Sequence, residues 1–264
     1  MLILNCTKAA ADFFSRAQKG KKISPLEAAP KKTIAESIAD SIATTNAPRQ
    51  WQWLVHAIKV KGKNVLVVMD YHSRFSISLC ELKKGRDSSF LDSFEHHLTV
   101  HVHEMMTAIN ASPEAIDSSL QRYRHQHNSS AFYLRGDRSM QTHINDVIWH
   151  FRNWADVRGV LPTKVDLIGQ DFFVNQLLRR RKTKKDYFTP QNEFLHAWLT
   201  HYGEYSMAQA DSSIARLKAK ERADFAAKHP DLFPSSEPQN ISVTPDTDTG
   251  FGNNVISLDA YRKK

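Results

Sequence analysis

The sequence has no long apolar run, few cysteines and few glycines. No window approaches the 18 consecutive apolar residues that a membrane-spanning helix needs. Two cysteines, Cys6 and Cys80, are too few for a disulfide framework in 264 residues and are typical of a reducing compartment. The first residues lack a basic stretch ahead of a long apolar one, so no signal peptide is expected. These absences predict a cytoplasmic protein without a membrane segment.

The chain also lacks the short motifs that accompany common chemistries. It contains no Gly-rich phosphate loop, no GxSxG elbow, no CxxC pair and no Cys-His motif of a thiol enzyme. No catalytic residue is therefore predicted, and the sequence favours a protein that is not an enzyme.

Three consecutive segments carry the clearest strand signal. Residues 51–60, WQWLVHAIKV, alternate between two faces, residues 65–70 are almost continuously apolar, and residues 74–82 alternate again. Because the turns between them are short, they predict an antiparallel meander. A further strand is predicted at residues 2–6.

Helical periodicity covers most of the remaining chain. Helices are predicted at residues 7–18, 33–43, 88–110, 113–127, 140–157, 165–182, 189–202 and 206–228. Ser139 is expected to cap the helix at 140–157, and residues 19–32 are expected to be loop. The apolar face predicted for the helix at 165–182 comprises Val165, Ile168, Phe172 and Phe173. The fold class that follows is α+β: a small antiparallel sheet, with the N-terminal strand added to the meander, packed by helices.

The character of the chain changes near residue 160. Residues 1–160 are predicted to form an α+β domain. Residues 161–230 are predicted to form a basic helical extension, whose last helix has a narrow apolar face. Residues 231–264 are rich in Ser, Pro, Asn, Asp, Thr and Gly. Such a segment buries too little apolar surface to offset the conformational entropy lost on ordering, so this tail is predicted to be disordered.

Three stretches of the first 158 residues resemble a known family. They are LILNCTKAAADF at the start, the block WQWLVHAIKVKGKNVLVVMDYHSRFSISL, and GDRSMQTHINDV ahead of a long helix. The positions that match the family pattern are Cys6-Thr7-Lys8, Trp51 or Trp53, residues 65–80, Asp137-Arg138-Ser139 and Asn145-Asp146. This part of the chain is similar to DUF6933, a family of uncharacterised bacterial domains often joined to plasmid pRiA4b ORF-3-like domains, none of which is evident in this sequence. The resemblance implies an α+β fold and brings no established activity.

Four histidines and two carboxylates crowd residues 95–104, EHHLTVHVHE. On a helix, His97, His101 and Glu104 lie at positions i, i+4 and i+7, a spacing that can present two imidazoles and a carboxylate to one zinc ion. Leu98 stands where the general base of a HExxH motif would be. A zinc site is therefore one interpretation of this helix. The interpretation that the sequence favours is a helix that carries boundary and surface histidines.

Two further features each have a structural and a binding interpretation. Asp137-Arg138-Ser139 can stabilise a turn and cap a helix, or Arg138 can reach a phosphate. Trp51 and Trp53, two residues apart in a strand, can stack on bases, but this spacing is more typical of a core.

The most suggestive element for function is a basic run, RRRKTKK, at residues 179–185. It carries six positive charges and no negative one in a chain of net charge +8. Such a run can track phosphates, with the following aromatic residue stacking on a base. The predicted nucleic-acid contacts are Arg179, Arg180, Arg181, Lys182, Lys184, Lys185 and Tyr187. The alternative is a solvated connector between two helices.

These observations favour a non-enzymatic binding or regulatory protein that contacts nucleic acid through the basic extension. Two hypotheses from other classes remain. One is a metal-dependent enzyme that uses His97, His101 and Glu104. The other is a protein-interaction module that recruits a partner through the helix at 206–228 or the tail.

Overall fold

A computed structural model describes residues 1–30, 51–180 and 186–228. The predicted helix at 33–43, most of the basic run and the predicted tail lie outside the described residues. Within them the α+β class is confirmed. Two compact units divide the chain, Met1–Glu221 and Arg222–Lys264, and every contact discussed below lies within the first.

The centre of the first unit is a mixed sheet of six strands in the order β4-β8-β1-β5-β6-β7. These strands are β1 (Leu2–Cys6), β4 (Leu26–Ala28), β5 (Trp51–Val60), β6 (Lys63–Asp70), β7 (Ser76–Cys80) and β8 (Ser130–Leu134). Strands β5, β6 and β7 form the predicted antiparallel meander.

The other half of the sheet is parallel, which the sequence did not predict. Strand β1 pairs in parallel with both β5 and β8, and β4 pairs in parallel with β8. Parallel neighbours need long connections, and the strands that meet here lie far apart in the chain. Short-range alternation therefore identifies each strand without revealing its partner.

Seven helices are described, together with two small hairpins. The helices are α1 (Lys8–Phe14), α2 (Asp87–Ala108), α3 (Pro113–Gln126), α4 (Arg138–Arg158), α5 (Lys164–Gln176), α6 (Pro190–His201) and α7 (Met207–Lys228). The hairpins pair β2 (Arg16–Gln18) with β3 (Lys21–Ile23), and β9 (Arg179–Arg180) with β10 (Tyr187–Phe188). None of the described helices is long and apolar enough to cross a bilayer.

The first hairpin corrects the prediction of one helix over residues 7–18 and a loop over 19–32. The helix ends at Phe14, and the chain turns back at Lys19-Gly20, where both residues have positive φ. Glycine adopts this conformation without strain. Because the short strands on either side are fully exposed, they carry no apolar alternation that would reveal them.

One face of the sheet is sealed by an aromatic core. Helices α1, α2, α3, α6 and α7 all contribute to this main cluster. Trp51 lies at its centre and stacks on Phe194 and Tyr202 with ring centroids 5.5 and 5.4 Å apart. Trp51 and Trp53 are 6% and 0% exposed, so the prediction that they are core residues is confirmed.

Helix α4 covers the opposite face with the residues predicted for its apolar stripe: Met140, Ile144, Val147, Ile148, Phe151 and Ala155 are all buried. Its N-cap is Asp137, whose Oδ1 accepts a hydrogen bond from Met140 N at 3.0 Å, so the prediction of Ser139 as the cap was wrong by two residues. The helix ends at Gly159 in the left-handed conformation, as glycine allows.

Helix α5 closes the edge of the sheet with polar side chains. The Asn175 side-chain amide accepts a hydrogen bond from Ser76 N and donates one to Ser76 O, each at 2.8 Å. The Asp171 carboxylate accepts from Ser78 N at 2.9 Å. These two side chains satisfy backbone groups of β7 that an open edge would leave available to another strand.

This arrangement overturns the apolar face predicted for α5. Val165 and Phe173 are 79% and 54% exposed, whereas Asp171 and Asn175 are fully buried. A polar residue is buried where it finds a hydrogen-bond partner, and the partners here are backbone groups of a strand 93 to 99 residues earlier.

Residues beyond 160 pack on the same sheet as the residues before it. Phe194, Trp198 and Leu217 belong to the main cluster with Trp51. The described helices of the basic extension are therefore part of the first compact unit up to Glu221. The division into an α+β domain and a basic helical extension at residue 160 stays a prediction.

Candidate functional site

The basic run begins within a β-hairpin. Arg180 pairs with Tyr187 and Arg179 with Phe188 in an antiparallel register. We call residues 179–188 the basic hairpin. Arg181, Lys182, Lys184 and Lys185 lie in the chain between its two strands, outside the described residues.

Within the basic hairpin the two described arginines have different roles. The Arg179 side chain is buried, and its Nη1 donates a hydrogen bond to His143 O at 3.1 Å and lies 3.8 Å from Asp146 Oδ2. Burial lowers the pKa of the guanidinium. Arg179 is thus an anchor that fixes the hairpin to α4, and its side chain is not on the surface where the sequence places a nucleic-acid contact.

Arg180 and Tyr187, two of the predicted nucleic-acid contacts, lie on the surface of the basic hairpin. Arg180 is exposed, and the Tyr187 ring is 65% exposed beside it. Because the two residues are cross-strand partners, a cation and an aromatic ring lie next to each other at the start of the basic segment.

An open groove lies between helices α4 and α5, with a volume of about 450 Å³. Trp149, His150, Trp154, Arg158 and Phe173 are among the residues that line it, and we call these five the aromatic groove. Trp149 is 61% exposed, and the Arg158 guanidinium lies 4.6 Å from the centroid of the Trp154 ring. Large aromatic rings rarely stay exposed as a group without a binding role.

The histidine helix is α2, and the structure separates its predicted ligands. His97 and His101 are buried at 4% and 0% exposure, whereas Glu104 is exposed. His101 Nε2 lies 3.5 Å from Asp171 Oδ2 of helix α5, and the ring packs edge-on against Phe75 and Phe172. The interpretation as boundary and surface histidines therefore applies to His96 and His103 and not to these two.

His101 and Asp171 form a buried contact between α2 and α5. Burial raises the pKa of Asp171, while the proximity of His101 and the hydrogen bond from Ser78 act in the opposite direction. Among residues 1–30, 51–180 and 186–228, no group of three His, Cys, Asp or Glu side chains is placed to hold a metal ion.

The short motifs of the family pattern meet at the ends of parallel strands. Arg135 N, just after β8, donates to Cys6 O at the end of β1, at 3.0 Å. Thr7 caps α1, and its Oγ1 lies 2.9 Å from His56 Nδ1. Burial lowers the pKa of His56, which favours the neutral imidazole. Together with the Asp137 cap of α4, these contacts fix how both helices leave the sheet.

A comparison with family models shows the family. A model of the domain of unknown function DUF6933 matches residues 3–193, which is more than half of the chain. The chain belongs to the DUF6933 family. No curated protein and no solved structure matches it.

The DUF6933 match extends past residue 158, where the resemblance in the sequence faded, and includes α5, the basic hairpin and the start of α6. The family region therefore contains both the basic hairpin and the aromatic groove. The sequence did not single out the groove, although one signal was present. Trp149 and Trp154 lie off the apolar stripe of α4, where a purely structural helix would carry polar residues.

Proposed function

We propose that this DUF6933 protein is a non-enzymatic binding protein that contacts nucleic acid through the basic hairpin. The observation that supports the proposal is the pairing of β9, the first two residues of the RRRKTKK run, with β10, and the hydrogen bond by which Arg179 of β9 is anchored to helix α4. A run of cations in a mere connector would need no such anchor.

Arg179 fixes the base of the hairpin to α4. Arg179 is committed to His143 O and Asp146, so the phosphate contacts fall to Arg180 and the four cations that follow it. A cluster of Lys and Arg side chains can replace the counterions that surround a polyanion. Tyr187 adds a ring face next to them.

A binding assay at several salt concentrations tests the proposal. Fluorescence anisotropy of labelled DNA and RNA oligomers is measured against the purified full chain. If four to six phosphates are neutralised, the logarithm of the binding constant falls against the logarithm of salt with a slope of about −3.6 to −5.4.

The variant that decides the assay neutralises Arg180, Arg181, Lys182, Lys184 and Lys185 and keeps the buried Arg179. The matched control neutralises the exposed cations of the other hairpin, Arg16, Lys19, Lys21 and Lys22. The proposal predicts that only the first variant loses binding and its salt dependence. Absence of binding by the wild-type chain at low salt, or equal losses in both variants, would contradict it.

A further inference from the structure

We propose that the aromatic groove is a binding site for a small, uncharged aromatic heterocycle with a lactam edge, that is, a ring N–H group beside a ring carbonyl group. The ligand stacks on the rings of Trp149 and Phe173, and its lactam edge forms hydrogen bonds with the side-chain amide of Gln170. This site goes beyond the proposed function and does not depend on it, because it includes none of residues 179–188.

The first observation is the size of the groove. Its volume of about 450 Å³ lies within the range of about 300 to 1,000 Å³ that is usual for small-molecule sites. One wall is the outer side of α4, and the other is α5, which contributes Gln170 and Phe173. Such sites combine apolar and aromatic walls with a small number of polar groups that orient the ligand. The groove has both.

The second observation is the arrangement of the rings. Trp149 and Phe173 are 61% and 54% exposed, although they lie on different helices. The His150 ring lies between them, with its centroid 4.8 Å from that of Trp149 and 5.5 Å from that of Phe173, and it stands nearly perpendicular to both. Because the fold leaves both rings largely uncovered, each can form a stacked or edge-on contact with a planar ligand.

The third observation is a buried amide whose oxygen the fold does not use. Gln170 lines the groove and is 7% exposed, and its Oε1 has no hydrogen-bond partner among the described residues. The other buried polar side chains near it on α5 are used, since Asp171 and Asn175 both bond to the backbone of β7. A buried polar atom without a partner in the fold is an exception that needs an explanation, and a ligand supplies one.

A lactam edge complements this amide. A glutamine side chain carries an acceptor oxygen beside two N–H donors, so a ring N–H next to a ring carbonyl can form two parallel hydrogen bonds with it. The last torsion of a glutamine side chain is broad, and a rotation about it turns the oxygen of Gln170 toward the groove. A hydrocarbon ring would fill the same space and leave the amide unpaired. The amide therefore favours a heterocycle of the lactam type.

The charges at the groove favour a neutral ligand. Arg158 is the one Lys or Arg side chain among the lining residues that the structure describes. Its Nη1 lies 3.5 Å from Asp166 Oδ1, and its guanidinium stands 4.6 Å from the centroid of the Trp154 ring. This cation is thus already paired with a carboxylate and an aromatic ring. A phosphate or carboxylate on the ligand would have to compete with Asp166 for it.

Isothermal titration calorimetry of the full chain tests the site with three neutral probes: lumiflavin, lumazine and hypoxanthine. Each is measured beside its derivative methylated at the lactam nitrogen, which keeps the rings and loses the N–H donor. Gln170→Leu removes the amide and keeps a side chain of similar length. Trp149→Ala removes one exposed ring, and Trp149→Phe is the conservative control. The hairpin variant described above is the control for binding elsewhere.

The wild-type chain is expected to bind at least one probe and to prefer it over its methylated derivative by about 10-fold. Gln170→Leu should bind both forms equally. Its urea midpoint should stay the same or rise, because a buried group without a partner has been replaced by an apolar one. Trp149→Ala should lose roughly 5- to 150-fold in affinity, and Trp149→Phe should recover most of it. The hairpin variant should bind as the wild type does.

Three results would overturn the proposal. If the wild type bound none of the probes, the groove would belong to a partner of another class, such as a protein helix. If Gln170→Leu kept the preference for the N–H form, or Trp149→Ala kept the full affinity, the probe would be held outside the groove. If the hairpin variant lost the probe, the hairpin would be its site. The salt titration of nucleic-acid binding is a separate measurement, so failure here leaves the proposed function standing.

Discussion

The two faces of the central sheet are covered in different ways. The main cluster, under α1, α2, α3, α6 and α7, is an aromatic core in which Trp51 contacts six rings and is almost fully buried. The opposite face is covered by α4, with α5 at the sheet edge, and the outer sides of these two helices carry the exposed side chains Trp149, Arg158 and Phe173. The first face buries its aromatic side chains in the core, whereas the second leaves aromatic and cationic side chains exposed to solvent.

The largest difference between the faces should appear when one tryptophan is removed from each. Trp198→Ala empties part of the main cluster and removes the hydrogen bond from its Nε1 to Ser119 Oγ, at 3.1 Å. It should cost about 3–5 kcal/mol of unfolding free energy. Trp149→Ala should change stability by at most about 0.5 kcal/mol, since the side chain is mostly exposed. Urea denaturation measures both, and a similar cost for the two would erase the proposed distinction.

Sequence patterns predicted the elements of the first face well. The bounds of β5 and the burial of Trp51 and Trp53 follow from period-2 alternation, which needs only neighbouring residues, and β1 has the predicted bounds. The parallel half of the sheet was not predictable in this way, because β1, β5 and β8 are brought together from distant parts of the chain.

Sequence patterns failed on α5, and the reason is specific. Its buried face depends on Asp171 and Asn175, which are polar, and on backbone groups of β7 that only the folded sheet presents. The candidate site shows the same limit. Charge density located the basic hairpin, but only the structure shows that Arg179 is buried while Tyr187 is exposed.

The next largest effect should come from the polar contacts at the sheet edge. Asp171→Ala leaves Ser78 N and His101 without their buried partner and should cost about 3–5 kcal/mol. Phe173→Ala, on the exposed side of the same helix, is the matched control and should cost little. Hydrogen exchange of the Ser78 amide should accelerate in the first variant alone. Unchanged protection would mean that α5 does not close the edge.

The pH dependence of the same contact has a definite sign. Burial raises the pKa of Asp171 in the folded protein, so the folded state holds this proton to higher pH than the unfolded chain does. Between the ordinary carboxyl pKa of about 4 and the raised one, stability must fall as the pH rises. Relative to Asp171→Asn, which cannot ionise, the wild type should therefore lose stability across this window. A relative gain would contradict the raised pKa.

The smallest expected effects separate two neighbouring arginines. Arg179→Ala removes a buried donor to His143 O and should cost about 1–3 kcal/mol of stability. Arg180→Ala should leave stability nearly unchanged and reduce the salt slope of nucleic-acid binding by about 1. Thermal unfolding and anisotropy distinguish the two variants. If Arg180→Ala left the slope unchanged, the exposed side of the hairpin would not touch phosphate.

The measurement that tests the account most directly is the salt-titrated anisotropy of a labelled DNA or RNA oligomer, with the wild-type chain beside the variant neutralised at residues 180–185. The account predicts binding that weakens steeply between about 50 and 200 mM salt and disappears in the variant. Binding that persists in the variant, or no binding by the wild type at low salt, would show that the basic hairpin is a solvated connector.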